Sequence, residues 1–386
     1  MVGICVKYFH ENYGGMLQAY ATTSTMEKLG IDYELIRYKK ERNFKEIIRM
    51  IPRVFNGVLL NDKYEIMLKK AGMKKHPEVA EQDKLRMLQF RRFKETYFTK
   101  VSPVFTGYNQ LCEGARRYSA VVTGSDQLWS PAGLPTNYYN LMFVPEEIRK
   151  ISFASSFGVK DIPWYQKRRT ATFLNRIDYV SMRENRGAEI VEFLTSRKVP
   201  TILDPVFMLN QEEWEQKIPV QVDIQEPYIF AYFLGKNKQY RDAVQEAAKE
   251  LKCKIVTLPH MDQYVPADET FGDIRLYDIG PEKFLNLIRG AAYVCTDSYH
   301  GGCFSVLHRK PFVIFNRYSD HTKHSKNSRI DTLCENLGVQ DRRYQKAHTL
   351  ADQLKKEMDY EMILQRVDEQ RKITQQYLET AFSGIH

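Results

Sequence analysis

Between Ala291 and Phe315 the chain reads AAYVCTDSYHGGCFSVLHRKPFVIF, and no other stretch restricts the fold as much. An apolar run, Ala292 to Cys295, stops at Thr296-Asp297-Ser298. A helical pattern follows, with Phe304, Val306 and Leu307 apolar, and a second apolar run from Pro311 to Phe315 closes the unit. Strand, loop, helix and strand in this order form a βαβ unit, the building block of a parallel sheet. The helix starts at Ser298-Tyr299-His300-Gly301-Gly302. Such a start offers unpaired backbone N–H groups and the positive end of the helix dipole, which attract phosphate or carboxylate. His300 stands there, either as a proton donor to a bound anion or as an incidental turn residue.

The alternation recurs along most of the chain. Val2 to Tyr8 reads as a strand broken by Asn12-Tyr13-Gly14-Gly15, Met16 to Leu29 as a helix ended by Gly30, and Asp32 to Tyr38 as the second strand. The Asn-Tyr-Gly-Gly turn therefore lies at the carboxyl end of a strand, where parallel sheets bind ligands. Strands over 119–123, 151–157 and 179–182 end in Gly124-Ser125-Asp126-Gln127-Leu128-Trp129, Ser155-Ser156-Phe157-Gly158 and Arg183-Glu184-Asn185. The second half repeats the pattern, and 350–380 reads as one long helix that crosses back onto the first half. The expectation is an α/β chain of two doubly wound domains facing each other, over 1–198 and 199–348, followed by a helical segment over 349–386.

The chain has 386 residues and a net charge of +9. All of that excess lies in 39–100, which holds 17 basic and 8 acidic residues. This segment also interrupts the alternation. Phe44, Ile47, Ile48 and Ile51, then Leu85, Leu88 and Phe93, fall at helical spacing among lysines and arginines. It reads as a basic helical insert in the first domain. Two readings stay open: helices packed on their own domain with solvated charges, or a surface for anionic lipid head groups or a polyanionic substrate. No nucleic-acid module is recognised, so nucleic acid is not an expected partner. No apolar run reaches the roughly 18 residues that span a bilayer, and MVGICVKYFH is not a signal peptide. The expected location is the cytoplasm, peripheral at the inner face of the membrane if the insert meets lipid. The six cysteines form no CxxC pair and read as buried free thiols. His321 and His324 lack a carboxylate set, so no metal site is expected.

Taken in order, Asn12-Tyr13-Gly14 with Leu17-Gln18-Ala19-Tyr20, Gly124 to Trp129, Ser152 to Gly158, Ser181-Met182-Arg183-Glu184, Asp204-Pro205-Val206, Thr296 to Gly301 and Asn327-Ser328-Arg329-Ile330 resemble the polysaccharide pyruvyl transferase family. These stretches are spread over residues 1–338. The resemblance implies the GT-B architecture, two Rossmann-like domains with a cleft between them. It also implies transfer of a carboxyvinyl-derived group from phosphoenolpyruvate to a sugar. The product is a pyruvate ketal bridging two hydroxyls, and phosphate is released. In the family, the histidine after the second-domain strand and the arginine of the Ser-x-Arg-Glu stretch are associated with donor binding; they match His300 and Arg183 here. Some members carry an arginine two residues before that histidine, where this chain has Ser298. Arg329, Lys326 and Arg317 are the candidates to supply the missing charge.

A donor with a carboxylate and a phosphate needs fixed positive charge. The planar fork of Arg183 suits the carboxylate. The helix start, with Ser298, Tyr299 and Gly301, suits the phosphate. His300 is the expected general acid for the enol methylene, or a donor to the leaving phosphate. Asp126 is expected as the base for a sugar hydroxyl, or else as a helix cap. Asn12, Tyr13, Gly14, Gln127 and Trp129 are expected on the acceptor side, with aromatic packing as the other reading of Trp129. The expected partners are phosphoenolpyruvate as co-substrate, with no resident cofactor, and a glycan acceptor such as an undecaprenyl-linked oligosaccharide. A glycosyltransferase with a nucleotide-sugar donor, and a non-catalytic binding protein, are the alternatives.

Overall fold

The computed structural model describes residues 1–41, 64, 67, 77–131, 136–259, 265–318 and 327–385. Most of the basic insert, His321, His324 and Lys326 lie outside the described residues. The first domain runs β1 (Val2–Cys5), α1 (Tyr13–Lys28), β2 (Tyr33–Lys39), α2 (Pro77–Tyr97), β3 (Val101–Thr106), α3 (Gly107–Ala115), β4 (Ala120–Thr123), β5 (Arg149–Ser152), α4 (Trp164–Arg176) and α5 (Asn185–Thr195). Its five strands pair in parallel in the order β3-β2-β1-β4-β5. The second domain runs α6 (Gln211–Lys217), β6 (Tyr228–Tyr232), α7 (Lys238–Leu251), β7 (Lys254–Thr257), β8 (Ile274–Arg275), α8 (Pro281–Gly290), β9 (Tyr293–Thr296), α9 (Tyr299–Leu307), β10 (Phe312–Ile314) and α10 (Ser328–Leu337). Its sheet is also parallel, in the order β10-β9-β6-β7-β8. Two Rossmann-like domains in this arrangement are the GT-B fold.

Both sheets reverse strand order at their centres, β1 against β4 in one and β6 against β9 in the other. Loops diverge at such a switch point and leave a crevice beyond the carboxyl ends of the strands. Lys7 and Asp126 follow β1 and β4, and Ser298 to His300 follow β9. Single bridges Ile151↔Tyr179, Ser155↔Met182 and Met182↔Thr201 extend the first sheet past β5. Thr201, past the boundary expected at 198, therefore pairs with the extension of the first sheet.

Several expected elements are redrawn. Asn12 caps α1 by accepting from the Gly15 N–H at 2.8 Å, so Gly14 and Gly15 lie in the first helical turn and do not break the chain. The strand expected over 151–157 ends at Ser152, and Ala154 adopts φ 51°. The edge strand β3 was not expected; its Pro103 is tolerated because an edge strand has a free side. The helix expected over 350–380 is broken into α11 (Leu350–Lys355) and α12 (Tyr360–Ala381), which is capped afresh by Asp359 accepting from the Met362 N–H. The long helix α12 returns to the first sheet. The Tyr377 hydroxyl donates to the Ser152 carbonyl at 2.7 Å, and Arg149 donates to the Ala381 carbonyl at 3.1 Å.

One face of α2, the main described element of the insert, is buried. On α2, Phe90 and Phe93 join the main core, and Phe90 packs 4.9 Å from the Tyr13 ring. Arg86 is buried and donates to the carbonyls of Tyr277, Pro259 and Leu276 at 2.8, 2.9 and 3.3 Å. Leu85 and Leu88, expected to pack, are exposed instead. Of the apolar set read in the sequence only Phe93 is buried among the described residues, and Arg86 straps the first domain to strand exits of the second. Arg86→Ala should lower the free energy of unfolding by on the order of 2–3 kcal/mol, read as a lower midpoint in urea, since charge-assisted bonds to buried carbonyls are lost. Arg86→Lys should not restore it, because an ammonium cannot span three carbonyls.

Candidate active site

The switch points of the two sheets meet around Asp204. This carboxylate is buried at the edge of the first sheet. Its Oδ2 accepts from Arg183 Nη1 at 2.6 Å and from the Ser125 hydroxyl at 2.9 Å. His300 Nε2, from the other domain, lies 3.5 Å from the same oxygen. Burial opposes ionisation of Asp204, but His300 and Arg183 outweigh it and hold the carboxyl well below the usual carboxylate range. Asp204 was part of a family stretch in the sequence but carried no assigned role. Only the Asp-Pro turn marked it.

Arg183 has a fully buried side chain. Its ion pair is a buried one with Asp204 and not a surface pair. Its Nη2 lies 3.8 Å from Asp126, and its guanidinium carbon sits 4.5 Å from the centre of the Tyr299 ring. Burial works against its charge, yet Asp204, Tyr299 and Asp126 together push its pKa up. Glu184 turns away and accepts from the Ser156 hydroxyl and from the Phe157 and Gly158 N–H groups at 2.9, 3.1 and 3.2 Å. The Tyr299 ring also meets Arg329, whose guanidinium carbon is 5.7 Å from the ring centre. Burial first, then the charge of Arg183, lowers the pKa of Arg329 to about 10. Of the two substitute cations among the described residues, Arg329 is the one that the fold brings beside Arg183; Lys326 lies outside the described residues. Arg317 instead faces Asp297 at 3.7 Å.

Asp126 sits at φ 73°, a left-handed conformation that few side chains adopt without a local reason. The turn places its carboxylate between Arg183 and Lys7, whose Nζ is 3.6 Å away. Burial raises its pKa, but Lys7 and then Arg183 and His300 overcome this and hold the carboxyl well below its ordinary value. A carboxylate held so far down is a weak base while both cations face it. Lys7 was missed in the sequence because a lone lysine after a strand has no pattern around it.

The start of α9 is built as expected, with one change of role. The Ser298 hydroxyl caps the helix, accepting from the Gly301 N–H at 3.3 Å. A Cβ on Gly301 would lie 2.8 Å from the Thr296 hydroxyl oxygen, so Gly301 serves close packing. Asp297 accepts from the Leu234 and Gly235 N–H groups, both at 2.7 Å, and locks the tip of β9 to that of β6. Gly14 is the floor under His300: a Cβ there would fall 2.3 Å from the imidazole Nδ1.

The residues expected on the acceptor side scatter. Asn12 is spent as the α1 cap. Tyr13 is buried, stacks on Phe284 with centroids 4.9 Å apart, and donates to the Ile279 carbonyl. It joins the domains and presents no face to a sugar. Trp129 is fully buried against Phe157 and Phe173 and donates to the Tyr139 carbonyl at 3.0 Å. Its ring fills a core rather than a platform. Gln127 packs against Gly158.

The cluster has one further property. Nε and Nη2 of Arg183 and Nε2 of His300 are buried and make no hydrogen bond. Buried donors of this kind are normally satisfied; here the nearest carboxylates stand off, Asp126 at 3.8 Å from Nη2 and Asp204 at 3.5 Å from the imidazole, which leaves hydrogen-bonding capacity to spare.

Comparison with known proteins agrees with the fold and shows the family. A search of the curated proteins finds no match. Among solved structures, a putative UDP-N-acetylglucosamine 2-epimerase from Listeria monocytogenes has TM-score 0.54 at 10% identity, covering 99% of this chain and 96% of that one. UDP-N-acetylglucosamine 2-epimerase from Rickettsia bellii has TM-score 0.51 at 10% identity, covering 100% of this chain and 96% of that one. At that identity the likeness is one of fold. The sequence pattern of the family described as polysaccharide pyruvyl transferase matches residues 12–319, a span that holds Asp126, Arg183, Asp204 and His300. With most of its length inside that match, this chain belongs to the polysaccharide pyruvyl transferase family and is a transferase.

Proposed function

We propose that the protein transfers the pyruvyl group of phosphoenolpyruvate to two hydroxyls of one sugar in a lipid-linked precursor of a surface polysaccharide. An undecaprenyl-linked oligosaccharide is such an acceptor. The observation that carries the donor is the set of unsatisfied donors on Arg183 and His300, converging from two domains beside a second guanidinium, Arg329. Arg183 takes the donor carboxylate, and Arg329 with the amino end of α9 takes the phosphate. Repulsion between the two guanidinium groups is relieved when a dianion lies between them.

His300 supplies a proton to the enol methylene. The C2 carbon thereby becomes cationic and accepts the first sugar hydroxyl. The second hydroxyl then displaces phosphate from the same carbon, and the two hydroxyl protons leave with the base and the phosphate. Asp204 is held by Arg183 and Ser125, so Asp126 is the carboxylate assigned as the base for the sugar hydroxyl. Its basicity returns only as Lys7 and Arg183 turn from it. The reading invokes no resident cofactor or metal.

Thermal shift separates this donor from a nucleotide sugar, which is the alternative that the names of the fold neighbours raise. Phosphoenolpyruvate at about 100 times its dissociation constant should stabilise the protein by about 2.7 kcal/mol. UDP-N-acetylglucosamine should leave the melting temperature in place. The reverse result removes phosphoenolpyruvate from the scheme.

A further inference from the structure

Outside the cleft, the most exposed large apolar side chains among the described residues are Trp164, at 84%, and Phe193, at 74%. They are neighbours on α4 and α5. Trp164 and Lys167 share a helix face at spacing i,i+3, and the Lys167 ammonium lies over the Phe193 ring at 5.0 Å. Tyr165 is also exposed and stands edge-on to Trp164. Lys160, Arg168 and Arg169 are exposed around them, so 160–169 carries four basic residues against Asp161 alone. Asp161 is itself 3.3 Å from Lys167. The neighbouring helix adds Arg186, paired with Glu189, and Glu192 beyond.

We infer that this aromatic and basic face of α4 and α5 docks on an anionic lipid bilayer. Isolated exposed apolar residues are ordinary, but three exposed aromatic rings beside a cluster of basic residues are not. Trp and Tyr rings favour the boundary between head groups and acyl chains, and lysine and arginine beside them are drawn to anionic head groups. A second copy of this chain fits less well. A symmetric contact would bring two copies of the same net-basic patch together, so like charges would face like across it. No helix among the described residues is long and apolar enough to cross a membrane, so the contact is peripheral. The face also adjoins the cleft: Arg186 follows Arg183 by three positions, and its Nε donates to the Lys160 carbonyl at 2.6 Å. Docking there holds the site close to a bilayer. The inference stands apart from the donor chemistry, and it moves the expected lipid contact from the 39–100 insert to α4 and α5.

Its test reads one side chain. The protein has three tryptophans, and the other two, Trp129 and Trp214, are fully buried. Fluorescence accessible to acrylamide therefore reports Trp164. Vesicles of phosphatidylcholine with phosphatidylglycerol should sediment the protein at low salt, shift its emission to the blue and protect it from acrylamide. Vesicles of phosphatidylcholine alone should bind it at least about tenfold more weakly. Lys167→Glu with Arg168→Glu should lower retention by a similar factor, and Trp164→Ala should remove the blue shift. Both variants should keep the thermal shift with phosphoenolpyruvate seen for the parent, or the parent's melting temperature if no donor shift exists. Three results would overturn the inference: no retention on anionic vesicles, retention with Trp164 still fully quenched, or a parent dimer that Trp164→Ala dissociates while vesicle binding is unchanged.

Discussion

Replacing His300 with alanine should slow ketal formation by about 10²–10⁴-fold, the usual loss when a positioned general acid is removed. Donor affinity should change much less, because Arg183 and Arg329 remain. The same end can be reached from the other domain. A Cβ at position 14 would stand 2.3 Å from the imidazole Nδ1, so Gly14→Ala forces His300 to turn away from Asp204. Because both changes act on one imidazole, the double variant should be no slower than His300→Ala alone. Steady-state turnover of the three variants decides this. Near-normal turnover of His300→Ala takes the imidazole out of the mechanism, and losses that multiply in the double variant separate Gly14 from it.

Asp204→Ala should be the most destabilising single change at the site. It strands the Arg183 guanidinium, whose side chain is fully buried, without its carboxylate at 2.6 Å. Breaking a buried pair from one side costs roughly 3–5 kcal/mol. Asp204→Asn keeps an acceptor and should lose less. The pH dependence has a definite sign. The carboxyl of folded Asp204 is held below its ordinary value, so in acid the unfolded chain binds the proton more readily. The stabilisation is complete at neutral pH. It declines as pH falls below about 4, the value for an unfolded aspartate. Asp126 follows the same direction, held down by Lys7 and Arg183 against its burial. Urea midpoints between neutral pH and pH about 3 should therefore fall more steeply for the parent than for Asp204→Asn. Parallel slopes would mean that the ionised carboxylate adds nothing to folding.

Much of the architecture was legible because it is written locally. The apolar runs around 2–5, 33–39, 228–232 and 293–296 are strands, and the glycines and capping residues beside them end or begin helices. Ser298, expected on the phosphate side, caps the helix in the fold. Single-chain patterns failed where a residue's role depends on something distant. Trp129 in a strand-tip loop resembles a sugar platform until Phe157 and Phe173 close around it. Arg86 resembles a solvated charge until three carbonyls of the other domain surround it. The 350–380 stretch gives no glycine or proline to announce the break before Asp359.

The order of strands and helices, the placing of polar loops at strand ends and the anion-seeking start at Ser298 to Gly302 were determined by the sequence alone, because hydrophobic period and capping act over a few residues. That Arg183 and His300 share Asp204, that Arg329 rather than Arg317 stands beside them, and that Gly14 must lack a side chain were decided only in three dimensions. Those relations join residues up to 286 positions apart, as Gly14 and His300 are, and depend on how one sheet's carboxyl edge is set against the other's. Coulomb and steric terms change steeply over an ångström at such a seam, and no local pattern encodes that distance.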